Sequence, residues 1–280
     1  MWVISRKRKV LVTGANKGIG YAIVKGLCER FDGDVYLTSR DPVKGQEAVT
    51  KLKALGLNPL FHQLDITDQI SIDNFKKFIK EEYGGIDILI NNAGVYANQS
   101  LTMGEQAEYN VNVNYFGTLN LSSALFPLLR NNAHVVNVTS SVGRLQRIPS
   151  MDIQKKFKEP DLTIENLSKL MKEYIKTAKE NRHVEEGWGS NAYGVSKVGL
   201  TALTMLQQKF FDQQYSNKNL SINAVHPGWI QTDMNKTATT SPENGAKSSL
   251  FAALDSNVKG QYIWNDCRIV DWAGPLPQRM

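Results

Sequence analysis

The chain has 280 residues, 41% hydrophobic and 21% charged, enough to bury a large core within one domain. No apolar run reaches the roughly 18 residues of a membrane span, and the opening Met1-Trp2-Val3-Ile4 is too short for a secretory signal, so a soluble cytoplasmic protein is expected. Thirty-three basic against 27 acidic side chains leave a net charge of +6, but the dense run Arg6-Lys7-Arg8-Lys9 lacks the interleaved aromatics that stack bases, so no nucleic-acid partner is expected.

Short β-branched runs alternate with segments of helical period. Val10-Leu11-Val12 precedes Ile19 to Phe31, Val35-Tyr36-Leu37 precedes Val43 to Leu55, and Leu60 to Leu64 precedes Ile72 to Tyr83. Ile86 to Ile90 is followed by a long helical segment, Glu105 to Leu129, and then by Val135 to Val138; Ala192 to Tyr215 leads into Leu220 to Val225. This alternation predicts an α/β fold: one doubly wound (Rossmann) parallel sheet with helices on both faces, forming a single domain over residues 1–280. Residues 144–188 break the rhythm with a charged helical segment, Ile164 to Glu180, and read as a helical insertion beside the active-site mouth. Cys28 and Cys267 are too far apart in sequence to suggest a disulfide framework, and no metal site is indicated.

Directly after the first strand comes Thr13-Gly14-Ala15-Asn16-Lys17-Gly18-Ile19-Gly20, and then a helix. In that position Gly14 permits a tight turn, Gly18 lets backbone amides approach a pyrophosphate, and Gly20 allows close helix packing over an anion held at the helix N-terminus. The second strand ends at Ser39-Arg40, where selectivity for NAD would call for an acidic residue. Arg40 and Lys17 instead suit a 2′-phosphate, while Asp41-Pro42 reads as the cap and first residue of the next helix, so NADP is favoured. After the third strand, the carboxylate of Leu64-Asp65-Ile66 either accepts from an adenine amino group or caps a helix ahead of Ser71. Asn91-Asn92-Ala93-Gly94 closes the fourth strand at the edge where such sheets hold cofactors.

Tyr193-Gly194-Val195-Ser196-Lys197 begins a helix, and the i, i+4 spacing puts phenol and ammonium on one face. A phenol of pKa about 10 is a poor acid near neutrality, and a neighbouring Lys⁺ together with an oxidised nicotinamide is expected to bring it toward the working range. Thr139-Ser140-Ser141 ends the fifth strand, where a hydroxyl can bond a substrate oxygen, and Asn114 lies within an otherwise apolar helical face of Val111, Tyr115 and Leu119.

Taken together, Thr13-Gly14-x-x-x-Gly18-x-Gly20, Asn91-Asn92-Ala93-Gly94, Asn114, Ser140 and Tyr193-x-x-x-Lys197 resemble the short-chain dehydrogenase/reductase family, from about Val10 to Trp272. The likeness is nearest to its monomeric carbonyl reductase branch, through Asn16-Lys17-Gly18, Phe61-His62-Gln63-Leu64-Asp65-Ile66, Glu186-Gly187-Trp188, Pro227-Gly228-Trp229 and the insertion itself. The resemblance implies that NADPH supplies a hydride, Tyr193 donates the proton to a carbonyl oxygen and Ser140 positions that oxygen. It further implies that Lys197 tunes Tyr193 and holds the nicotinamide ribose, and that Asn114 anchors a water-linked proton path. Ser140 is chosen over Ser141 on the family's spacing to Gly143, leaving Ser141 to line the pocket.

In Pro227-Gly228-Trp229-Ile230-Gln231-Thr232 the resemblance places the nicotinamide carboxamide at the Ile230 backbone and Thr232 near the phosphates. Trp229 reads either as a flat wall for aromatic or quinone-like carbonyls, with Met234 and Val142, or as a core aromatic beneath the loop. His226 stands where some members of this branch carry a cysteine, so thiol-dependent behaviour does not transfer; a histidine there either titrates or is packed at the strand end. An insertion over the helices that related enzymes use to pair implies a monomer. The expected activity is reduction of ketones, aldehydes or quinones, with a dedicated reductase for a steroid, terpenoid, prostaglandin-like or pterin substrate as the alternative, and a non-catalytic NADPH-binding regulator as a remote one.

Overall fold

The computed structural model describes residues 7–275, so the readings made on residues 1–4 and on Arg6 lie outside the described residues. In chain order the leading half comprises β1 (Arg8–Val12), α1 (Gly18–Arg30), β2 (Gly33–Ser39), α2 (Pro42–Ala54), β3 (Leu60–Gln63), α3 (Gln69–Phe78) and β4 (Ile86–Asn91). There follow α4 (Met103–Val111), α5 (Thr118–Leu125), β5 (Leu129–Val138), α6 (Met151–Phe157), α7 (Ile164–Lys179), α8 (Ala192–Gln214), β6 (Ser221–Val225), α9 (Pro242–Leu250), β7 (Tyr262–Ile263) and β8 (Ile269–Val270).

The strands form one sheet in the order β3-β2-β1-β4-β5-β6-β7-β8. Every neighbouring pair is parallel except the last, where the two-residue edge strands β7 and β8 run antiparallel, so the doubly wound parallel sheet is as expected with one antiparallel pair at its edge. From β1 the chain builds outward through β2 and β3, then returns to place β4 on the other side of β1. That reversal opens a crevice at the carboxyl ends of β1 and β4, where a doubly wound sheet binds its ligands.

Alternation along the strands assigns each face its core. Val10, Val12, Ile88 and Ile90 pack with Ile23, Val24 and Leu27 of α1, while Leu11, Leu89 and Val135 pack on the other face with Ile72, Phe75, Leu121 and Leu125. The Asp41 carboxylate caps α2 by accepting from the amides of Val43 and Lys44, which is the inward role expected of it.

The long helical segment is not one regular helix. Between α4 and α5, Asn112–Gly117 forms a π-helical turn, and the chain then enters β5 at Leu129 rather than at Val135. The early start carries a break in register: Ile86 pairs with Leu129 but Ile88 with His134, and Asn132 takes a left-handed conformation (φ 59°) in between.

Within the insertion, α7 turns Leu167, Leu170, Met171 and Tyr174 onto α4 and α8. Gly199 of α8 makes room for it, since a Cβ there would lie 2.6 Å from the Met171 sulfur. The segment thus covers the outer surface of α4 and α8 and contributes no residue to the lining of the cleft described next.

Candidate active site

The crevice between β1 and β4 opens into a cleft. Along it lie Gly14, Asn16, Lys17, Gly18, Ile19, Gly20, Arg40, Asp65, Ile66, Asn92, Ala93, Gly94, Tyr193, Lys197, Pro227, Thr232 and Met234, all singled out from the sequence. Ser39, Leu64, Thr67, Val113, Val138, Thr139 and Asp233 line it as well and were not. Gly228, Trp229, Ile230, Ser140, Ser141, Val142 and Asn114 lie outside that lining.

At one end the glycine turn is shaped by steric necessity. Gly14 and Gly18 have φ of 60° and 58°, the left-handed region that a side chain penalises. A Cβ on Gly20 would fall 2.8 Å from both the Gly14 oxygen and the Ala15 Cα, so only glycine lets α1 start this close to the turn. Unlike α2, α3 and α4, α1 has no side-chain cap at its N-terminus, where Lys17 is the flanking residue, and its leading amides face the cleft with the positive end of the helix dipole.

The turn is clamped from β4. Asn92 Nδ2 donates to the carbonyls of Thr13 (2.9 Å) and Gly14 (3.1 Å), and the Thr13 hydroxyl accepts from the amides of Asn92 (3.0 Å) and Ala93 (2.9 Å). These bonds explain why Asn92-Ala93 accompanies the glycine motif.

Two exposed cations stand along the cleft. Arg40 is exposed at the end of β2, and Lys17 is exposed and ion-paired with Asp233 from the loop after β6. Asp65 settles between its two readings in part: Asp68, not Asp65, caps α3, while Asp65 Oδ1 accepts from the Thr67 amide (2.9 Å) and hydroxyl (2.7 Å) at the cleft wall.

At the other end, Asn191 caps α8 by accepting from the Gly194 amide at 2.8 Å, which places Tyr193 in the leading turn and Lys197 one turn on. Lys197 is buried and its Nζ donates to the Val138 carbonyl at 3.0 Å, 5.7 Å from the centre of the Tyr193 ring. Burial pulls the Lys197 ammonium down to about 8. Burial also pushes the Tyr193 phenol up to about 12, against the Ser140 hydroxyl, which acts to lower it, while Tyr96 adds a smaller upward push.

Here the Lys197 ammonium is spent on a backbone carbonyl and desolvation dominates the phenol. The consequence is a phenol that holds its proton at neutral pH, the form required of an acid.

Asn114 sits in the π-helical turn, fully buried rather than solvent-facing. Its Oδ1 accepts from the Val95 amide (2.8 Å), and its Nδ2 donates to the Val95 carbonyl (3.0 Å) and the Ser196 hydroxyl (3.0 Å). Gly94 separates it from Lys197: a Cβ there would be 3.1 Å from Asn114 Oδ1 and 3.3 Å from Lys197 Nζ.

A family model described as short chain dehydrogenase matches residues 8–151, over half of the chain, spanning the glycine turn and the serine strand end. The chain belongs to the short-chain dehydrogenase family. Within this family it is 43% identical over 270 residues to carbonyl reductase [NADPH] 1 of Bos taurus, covering 94% of this chain and 97% of that protein. It is 42% identical over 270 residues to the Homo sapiens protein of the same name, again covering 94% and 97%. Among solved structures, salutaridine reductase from Papaver somniferum superposes with a TM-score of 0.83 at 32% identity, covering 93% of this chain and all of that one.

Sequence reasoning missed two residues around the reacting centre. Tyr96, exposed, packs edge-on against Tyr193 with ring centroids 5.3 Å apart, and Tyr262 donates to the Ser140 carbonyl at 2.7 Å. His226 was seen but left between two readings; it is buried, packed on Trp264, and held neutral by burial, which pulls it down to about 4. Trp229 resolves the other way: it is 68% exposed, so the core-aromatic reading is wrong. Met234, 53% exposed, is the other large apolar group of that loop open to the mouth.

Proposed function

We propose that the protein is an NADPH-dependent carbonyl reductase converting ketones, aldehydes or quinones to alcohols. The observation that carries the reading is one cleft with a cation pair at the adenosine end and a protonated Tyr193, flanked by Ser140 and Lys197, at the other. The uncapped start of α1 and the glycine turn fit a pyrophosphate, and Arg40 with Lys17 fits a 2′-phosphate. Asp65 and Ile66 would border the adenine, Thr232 beside Gly18 the phosphates, and Pro227, with Gly228 and Ile230 just beyond the cleft lining, the nicotinamide side. When bound, NADPH supplies the hydride to the carbonyl carbon.

The chain's own residues handle the proton. The Ser140 hydroxyl orients the carbonyl oxygen, Tyr193 gives up its phenolic proton to that oxygen, and the resulting phenolate is stabilised by Lys197 and the α8 N-terminus. Asn114 and Lys197 face each other across Gly94, where a proton can return to Tyr193 from solvent. Trp229 and Met234, with Ser141 and Val142, would form the mouth's walls, suited to broad, flat or apolar carbonyls.

The test is a panel of carbonyls, among them a quinone, a steroid, a terpenoid, a prostaglandin-like lipid and a pterin, assayed by oxidation of NADPH and of NADH. Turnover across several classes with NADPH preferred supports the general reductase. Turnover confined to a single class makes it the dedicated enzyme, and NADPH binding without turnover on any carbonyl overturns the reading.

A monomer goes with the same reading, because α7 occupies the outer face of α4 and α8; a solution mass of twice the chain or more would contradict it. A cytoplasmic location does too, and cell fractionation checks it. Among the described residues, no helix is long and apolar enough to cross a membrane.

A further inference from the structure

Ser140 lies just beyond the sheet, where no strand ladder fixes it. The last residue so fixed is Thr139, whose amide and hydroxyl donate to the Val225 carbonyl at 2.8 and 3.0 Å. Beyond it, the Ser140 carbonyl accepts from Tyr262 Oη (2.7 Å), and the Ser141 amide donates to His226 Nδ1 (3.0 Å).

His226 Nδ1 has a second donor, the Gly228 amide at 3.3 Å. Two N–H groups aimed at one ring nitrogen require that nitrogen to be unprotonated, which fixes the imidazole as the neutral tautomer with its proton on Nε2. The residue is anchored at its backbone, whose amide donates to the Ile263 carbonyl (2.8 Å) and whose carbonyl accepts from Ser248 (3.1 Å), and its buried ring packs on Trp264 at 4.4 Å between centroids. One buried acceptor thus ties together two loops, the serine loop after β5 and the Pro227-Gly228-Trp229 loop after β6.

We propose that His226 is a positioning residue for the reaction: Nδ1 sets the distance between the Ser140 hydroxyl and the loop that borders the reacting carbon, with Tyr262 steadying Ser140 from its carbonyl side. The inference rests on the carbonyl reductase reading. Misplacing a reacting group by about 1 Å can cost roughly 100-fold in rate, so a device that fixes two loops to each other acts on kcat more than on cofactor binding.

Two polar substitutions separate this role from simple packing. In His226→Asn the side-chain oxygen falls near the place of Nδ1 and can accept both amides; in His226→Gln the oxygen lies near the place of Nε2 and cannot. Turnover of a reducible carbonyl and NADPH affinity, from quenching of tryptophan fluorescence, are measured for both beside the wild type and Tyr262→Phe. The expected result is kcat within about threefold of wild type for His226→Asn and lower by tenfold or more for His226→Gln, with NADPH affinity in both within about threefold. Tyr262→Phe should lower kcat by a smaller factor. Equal kcat for the Asn and Gln variants, whether both high or both low, overturns the proposal. A wild type that binds NADPH and reduces no carbonyl overturns the reading beneath it, and is told apart by the wild-type control alone.

Discussion

Gly94→Ala tests the link between Asn114 and Lys197. Gly94 is not among the glycines with positive φ, so alanine brings no backbone strain, and the whole effect comes from one methyl group. That methyl would sit 3.1 Å from Asn114 Oδ1 and 3.3 Å from Lys197 Nζ, against ordinary contacts nearer 3.5 Å, so both neighbours must retreat by a few tenths of an ångström. Neither can do so freely. Asn114 is held by Val95 and Ser196, and Lys197 by the Val138 carbonyl at 3.0 Å, so the methyl stretches those bonds or blocks the gap. The packing cost is about 1 kcal/mol, equivalent to a few degrees in Tm for a protein of this size. The rate should suffer more, with kcat for NADPH-dependent reduction falling about 10- to 100-fold. Turnover at saturating substrate and a thermal melt on the same sample measure both. A folded variant with wild-type kcat would refute the idea that the gap between Asn114 and Lys197 carries protons to Tyr193.

Arg40→Ala should raise the KM for NADPH by about tenfold or more and leave NADH use unchanged, as expected for loss of a charge-assisted bond to a 2′-phosphate; equal effects on both cofactors would remove Arg40 from that role. Acid should destabilise the fold before the carboxylates titrate. His226 is held near 4 against an ordinary 6.5, so the unfolded chain takes the proton more readily; its contribution is complete above about pH 6.5 and is lost as pH falls toward 4. That amounts to about 2 kcal/mol less stability at pH 5 than at pH 7, with His134, also lowered by burial, acting in the same direction. Urea midpoints that do not change between those pH values would contradict it.

What the sequence revealed follows from how local each signal is. The glycine turn, the Asp41 cap and the Tyr193-Lys197 spacing are set within a few residues, and the structure places them as read. Helix α8 was expected over 192–215 and runs to Gln214. By contrast, the π-helical turn at Asn112–Gly117 adds only one residue to a helical period, too little to disturb the pattern, and the burial of Asn114 depends on Val95 in a separate loop. The two-residue strands β7 and β8 are too short to show a period of two.

The fixing of Ser140 by Tyr262 spans 122 residues and that of Ser141 by His226 spans 85, and no single-sequence pattern connects such pairs. The same holds for Lys17 and Asp233, 216 residues apart, and for the edge-on contact of Tyr96 with Tyr193. The upward push on the Tyr193 phenol depends on burial, which a spacing of i, i+4 does not report.

The central claim, that Tyr193 is the proton donor of an NADPH-dependent carbonyl reductase, is tested most directly by Tyr193→Phe. The substitution keeps the ring that packs against Tyr96 and removes only the acid. NADPH affinity should stay within a few fold of wild type while kcat on a reducible carbonyl falls by roughly 100-fold or more, the range a general acid contributes. Turnover near the wild-type rate in a variant that still binds NADPH would contradict the account.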